Sequence, residues 1–157
     1  MLRAVIADDE PAVGKLIRYF LQEEQLPISI AAEVSDGQAA LEAIRQYDPD
    51  LVFMDIQMPV LTGLEVIEQA RAEQSRAKFI IVTAYSIFEY AQTALRLGAS
   101  DLLLKPISGE NLIESINRAV GLEFSSNWQV NEILLYIDGH LGENLTLESI
   151  SQKFYIS

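Results

Sequence analysis

The chain has 157 residues, half of them apolar, no cysteine and a formal net charge of −12. That length holds one domain of the usual ~100–150 residues plus a remnant, and the absent thiols exclude disulfides and thiolate metal sites. The charge opposes nucleic-acid binding by phosphate neutralisation, and no uninterrupted apolar run is long enough to span a bilayer. These features predict a soluble cytoplasmic protein with no membrane partner.

Leu2-Arg3-Ala4-Val5-Ile6-Ala7 reads as a first strand ending at Asp8-Asp9. Pro11 suits a first helical turn, and Val13, Leu16, Ile17, Phe20 and Leu21 make one apolar helix face. Pro27 ends that connection, and Ile28–Val34 is a second strand. Asp36-Gly37 signals a turn before a helix that ends near Tyr47-Asp48-Pro49. Leu51–Met54 is a third strand, closed by Asp55. A loop through Ile56-Gln57-Met58-Pro59-Val60-Leu61 leads to Thr62-Gly63-Leu64-Glu65, which has capping-box spacing. Phe79–Val82 is strand four, closed by Thr83, and Ser86-Ile87-Phe88-Glu89 repeats the capping device. Leu102–Leu104 is strand five, closed by Lys105-Pro106, and Ser108 caps a helix running to about Val120.

Five β-α units with such short connections predict right-handed crossovers and a parallel sheet with helices on both faces. The expected fold class is α/β, a flavodoxin-like doubly wound five-stranded sheet of order 2-1-3-4-5, with a C-terminal helical extension. The expected domains are residues 1–121, a linker at 122–126 and an incomplete helical region at 127–157. In that last region Val130, Ile133, Leu134, Ile137 and Leu141 recur at helical spacing, Trp128 reads as a packing anchor, and Gly139 and Gly142 break the helix. Thr146 caps a second helix through Phe154. His140, the sole histidine, reads as a solvated loop residue. Two short helices cannot bury a core alone.

In an open parallel sheet the carboxyl ends of the strands line one crevice. Asp8, Asp9, Asp55, Thr83 and Lys105 therefore converge there. Two adjacent carboxylates facing a third repel one another, and a divalent cation is the natural relief. A carboxylate such as Asp55 can also accept a phosphoryl group. Taken singly, each residue has a plainer reading. Asp55 could end a strand or cap a turn, and Asp9 could cap the helix ahead of Pro11. Thr83 could be an ordinary strand residue, and Lys105 an exposed strand-end lysine.

The set resembles the receiver domain of two-component response regulators, over roughly Met1 to Gly121, and Met54-Asp55-Ile56-Gln57-Met58-Pro59 followed by Gly63 carries the phosphorylation motif. The resemblance implies that Asp55 accepts a phosphoryl group from a sensor histidine kinase in a magnesium-dependent reaction. It implies that Asp9, Asp55 and the Gln57 carbonyl bind Mg²⁺ directly, with Asp8 acting through water. It implies that Thr83 and Lys105 answer the transferred phosphoryl, and that the Lys105-Pro106 peptide is cis. A homodimer on phosphorylation is also implied. Receivers commonly carry Tyr or Phe three residues before the lysine, as a ring that turns inward when the threonine moves. Here that position is Leu102, so the switch would involve Thr83, Leu102 and Tyr85.

The tail is similar to the opening of an AraC-type helix-turn-helix region, through Tyr136-Ile137, Leu145-Thr146-Leu147-Glu148-Ser149-Ile150 and Tyr155-Ile156-Ser157. It is also acidic, with Glu123, Glu132, Asp138, Glu143 and Glu148 against Lys153 alone. DNA would be reached only through a complete output domain, not through this chain. The alternative is a receiver-only dimerisation or protein-interaction module without DNA binding. A haloacid-dehalogenase-type phosphatase also uses Asp, Mg²⁺, Thr and Lys, but needs a second acid two residues after the nucleophile, and position 57 is Gln. The protein is thus expected not to be an enzyme beyond its own phosphorylation and dephosphorylation.

Overall fold

The computed structural model describes residues 1–84, 88–124, 127–143 and 145–154, without the side chain of Phe88. Its first ten elements are β1 (Leu2–Ala7), α1 (Pro11–Glu23), β2 (Ile28–Val34), α2 (Gly37–Tyr47), β3 (Leu51–Met54), α3 (Gly63–Ala72), β4 (Lys78–Thr83), α4 (Phe88–Arg96), β5 (Asp101–Leu104) and α5 (Gly109–Val120). The five strands pair in parallel in the order 2-1-3-4-5, as the short crossovers demand. β4 and β5 each begin one residue earlier than their apolar runs, because Lys78 pairs with Leu51 and Asp101 with Ile80. Backbone pairing is indifferent to the polar side chains that open these strands.

Strand side chains alternate between faces, and this alternation divides the core in two. Val5, Ala7, Val52, Met54, Phe79 and Ile81 face α2, α3 and α4. Ala4, Ile6, Leu51, Phe53, Ile80 and Val82 face α1 and α5. Both faces are covered, so the central strands are apolar throughout rather than alternating. Each large side chain buried this way contributes roughly 1.5–3 kcal/mol.

The helix starts follow local chemistry. Asp36 accepts from the Ala39 amide at 2.8 Å to cap α2. Thr62 and Glu65 form a reciprocal capping box on α3, and Ser108 accepts from the Asn111 amide at 3.1 Å to cap α5. Glu10, not Asp9, occupies the cap position of α1, and its side chain makes no capping hydrogen bond. The capping device expected at Ser86 lies outside the described residues, as does the terminal Tyr155-Ile156-Ser157.

Beyond α5, α6 spans Trp128–Gly139 and α7 spans Leu147–Phe154. The expected linker is not a plain spacer. Phe124 is buried in the α1–α5 side of the core, and its amide donates to Asn117 Oδ1 at 3.1 Å. From α6, Asn131 is fully buried and Leu135 packs on the same core face. Trp128, by contrast, is 55% exposed and does not anchor the tail. His140 is not a free loop residue. Its Nδ1 lies 2.7 Å from the Tyr136 carbonyl oxygen, and the two rings are 4.1 Å apart. α7 buries no residue and touches α6 through Phe154 and Lys153 on the Tyr136 ring. Among the described residues, no helix is long and apolar enough to cross a membrane.

Candidate functional site

The crevice forms where β1, β3, β4 and β5 run out. Asp8 and Asp9 follow β1, Asp55 follows β3, Thr83 ends β4 and Lys105 follows β5. The site is held by backbone hydrogen bonds that fix each strand end. The Asp55 amide donates to the Ala7 carbonyl at 2.9 Å, and the Lys105 amide donates to the Thr83 carbonyl at 2.9 Å. Gly63 lets α3 close on this frame. A Cβ there would lie 2.1 Å from the Asp55 carbonyl oxygen, so the glycine is required by the approach of the helix to the strand end. Its amide also donates to the Ile56 carbonyl at 2.8 Å.

Asp8, Asp9 and Asp55 each offer a carboxylate oxygen within 4.8 Å of the others. Asp8 and Asp55 are buried, whereas Asp9 reaches solvent. Lys105 enters this acidic group. Its Nζ stands 2.8 Å from Asp8 Oδ2, 2.9 Å from Glu10 Oε1 and 3.1 Å from Asp55 Oδ2. Only 11% of its side chain is exposed, which rules out the plain surface lysine. The contact with Asp8 Oδ2 is one of charge, because that oxygen has no aligned hydrogen-bond partner among the described residues. Asp8 Oδ1 accepts from the Glu10 amide at 2.8 Å, and Asp55 Oδ1 accepts from the Gln57 amide at 3.3 Å.

Burial pushes the Asp8 carboxyl up, against the opposing pull of Lys105 and the Glu10 amide. Burial also pulls the Lys105 ammonium down, but Asp8, Glu10 and Asp55 outweigh it and leave its pKa above the ordinary lysine value. Three carboxylates thus stand against one ammonium, and Asp9 adds a fourth to the acidic group beside it. The donor set fits a hard divalent cation, with oxygens only and with Asp8 Oδ2 buried and aligned toward no hydrogen-bond donor among the described residues.

The structure therefore brings Asp8, Asp9, Asp55 and Lys105 together, with the Gln57 backbone against Asp55. Thr83 is fully buried at the end of its strand. The Lys105-Pro106 peptide is cis. Leu102 is half-buried, on the core face that also holds Ala94 and Tyr90 of α4. Tyr85 lies outside the described residues. Glu10 was not foreseen. The signal available was an acid directly after Asp8-Asp9 at a helix start, but its partner lies 95 residues away. Val60 was also unforeseen. This exposed β-branched residue of the loop after β3 holds φ at 73°, in a left-handed region that such side chains avoid.

Residues 4–117 match the response regulator receiver domain family. A response regulatory protein of Yersinia pestis is 42% identical over 118 residues, covering 75% of this chain and 48% of that protein. The transcriptional regulatory protein BtsR of Escherichia coli is 38% identical over 118 residues, with 75% and 48% covered. The receiver domain of AraT, a response regulator from Geobacillus stearothermophilus, superposes with a TM-score of 0.69 at 33% identity, covering 76% of this chain and 94% of that one. The chain spans about half the length of the curated relatives it matches. Since the matched stretch carries nearly the whole sheet and its five covering helices, the chain belongs to the response regulator receiver family.

Proposed function

We propose that Asp55 accepts a phosphoryl group from a phosphohistidine of a sensor histidine kinase. One Asp55 carboxylate oxygen bonds to phosphorus as the phosphorus–nitrogen bond breaks, and the imidazole leaves with the bonding pair and takes a proton from solvent. Lys105 turns its ammonium to a phosphoryl oxygen, and the Thr83 hydroxyl donates to another. Magnesium, when held by Asp9, Asp55 and the Gln57 carbonyl with Asp8 through water, supplies positive charge to the transferring oxygens. The observation that carries this reading is Lys105 Nζ at 3.1 Å from Asp55 Oδ2, inside a three-carboxylate cluster. Charge of both signs is concentrated at the oxygen that would react.

Phosphorylation then favours homodimerisation, and an AraC-type output domain that begins in the tail regulates transcription in the cytoplasm. Relatives named as transcriptional regulators support a transcriptional output, and the acidic tail supports assigning DNA contact to residues outside this chain. The receiver is taken as residues 1–121, with Phe124 tying the connection at 122–126 to its core and the output region opening at 127–157.

Intact mass after incubation with acetyl phosphate and magnesium tests the assignment. A gain of one phosphate is expected in the wild type and in Asp48→Asn, and none in Asp55→Asn. Full labelling of Asp55→Asn would overturn it.

A further inference from the structure

At rest Lys105 is shared among three carboxylates. Asp8 and Asp55 reach it from strand ends and are buried. Glu10 reaches it from the start of α1, with 62% of its side chain exposed. It sits at the helix cap position, yet its carboxylate does no capping. Its one described side-chain contact is Lys105 Nζ at 2.9 Å.

We infer that Glu10 is a positioning residue that tethers Lys105 in the resting site and sets how readily Asp55 is phosphorylated. This rests on the reading that Asp55 is the acceptor. An ammonium has three donors; two go to Glu10 and Asp55, and Asp8 Oδ2 stands 2.8 Å from the same charge. A phosphoryl group arriving at Asp55 brings new anionic oxygens, and Lys105 turns to them at the expense of its resting partners. The Asp55 carboxylate gives up its charge on becoming an acyl phosphate, whereas Asp8 is buried and would be left without its counter-charge. Glu10 is solvated and regains water when it lets go. It is therefore the exchangeable partner. Its charge also stands at the mouth through which an anionic donor enters. A unit charge about 6 Å from the transferring group, at an effective dielectric near ~40, alters a rate or an affinity by about tenfold.

Glu10→Gln keeps the shape and removes the charge. Two quantities are measured at saturating magnesium, the affinity for beryllofluoride by fluorine NMR and the rate of Asp55 labelling by phosphoramidate by intact mass. Glu10→Gln should bind beryllofluoride about three- to tenfold more tightly and label faster by a similar factor, with both gains shrinking as salt is raised. The melting temperature should stay at the wild-type value, since no cap is lost. Wild-type affinity and rate in Glu10→Gln, beside normal labelling of the wild type on Asp55, would overturn the role of Glu10 alone. A gain accompanied by a lower melting temperature would show general loosening and overturn it too. A wild type that takes no phosphate on Asp55 would overturn the acceptor reading, and this inference with it.

Discussion

Lys105→Met, which keeps the length of the side chain and deletes its charge, should expose the electrostatic strain of the site. Asp8, Asp9 and Asp55 offer oxygens within 4.8 Å of one another, and two like charges at that distance repel by ~3.5 kcal/mol at an effective dielectric of about 20. Lys105 is the ammonium that offsets them, at 2.8 Å from Asp8 and 3.1 Å from Asp55. Removing one partner of a fully buried pair costs about 3–5 kcal/mol. Here Asp9 reaches solvent, so a loss of about 2–3 kcal/mol is expected in EDTA, lowering the melting temperature by roughly 5–10 °C. Saturating magnesium replaces the missing positive charge and should reduce the loss to about 1 kcal/mol or less. The pH dependence has a definite sign. Lys105 is raised above its ordinary 10.5 in the fold, so its stabilisation is complete below that pH and lost as pH rises through the higher folded value. On the alkaline side the gap between wild type and variant should therefore narrow above pH 10.5. Urea unfolding of both proteins, with and without magnesium, measures this. Equal stability in EDTA would show that solvent alone keeps the carboxylates apart, and would refute the assignment of Lys105 as their counter-ion.

Gly63→Ala drives a Cβ to 2.1 Å from the Asp55 carbonyl, so it should cost about 1–3 kcal/mol and slow labelling of Asp55, as read by denaturation and intact mass. Val60→Asn removes a β-branch from a residue with φ of 73° and 75% exposure. It should stabilise the fold by about 0.5–1 kcal/mol, because Asn tolerates the left-handed region and little burial is lost. Ser115, fully buried on α5, has a hydroxyl without a hydrogen-bond partner among the described residues. Ser115→Ala should raise stability by about 1 kcal/mol in the same assay, since an orphaned polar group is removed from the core.

Much of the scaffold was legible because it is written in short-range terms. The runs Leu2–Ala7, Ile28–Val34 and Leu51–Met54 are strands with the bounds their apolar residues suggest. Asp36, Thr62 and Ser108 cap the helices they precede. The convergence of Asp8, Asp9, Asp55 and Lys105 followed from a topological rule about strand ends, not from any local signal. What escaped was tertiary. Glu10 finds Lys105 across the crevice, and a residue that neither caps nor packs gives no periodic sign of its partner. Phe124 looked like part of a small polar spacer because one aromatic makes no pattern, yet it fills the core beside Asn117. Trp128 shows the converse error, since large apolar area favours burial only where a surface is available to receive it, and 55% of it remains in water. His140 was misjudged because its partner Tyr136 lies one helical turn back, on the same element.

Leu102 raises the question of where the free energy of a switch would reside. A ligand shifts an equilibrium only through contacts that differ between the two states. Leu102 lies half-buried on the face shared with Ala94 and Tyr90, and an aliphatic chain that stays in such a cluster gains little by moving. The crevice has far larger differences to offer. Under the proposed reading Lys105 exchanges a carboxylate for a phosphoryl oxygen, Glu10 returns to water, and Thr83 gains an acceptor at the end of β4. Each exchange alters a charged or buried polar contact, and such contacts are worth about twice a neutral hydrogen bond. Lys105 and Thr83 are already coupled, because the Lys105 amide hydrogen-bonds to the Thr83 carbonyl at 2.9 Å. A pull on one strand end therefore reaches the other without a ring in between. Under the proposed reading, the charge exchange at Lys105, and not an aromatic rotamer at position 102, is the element able to bias the α4–β5 side of the fold.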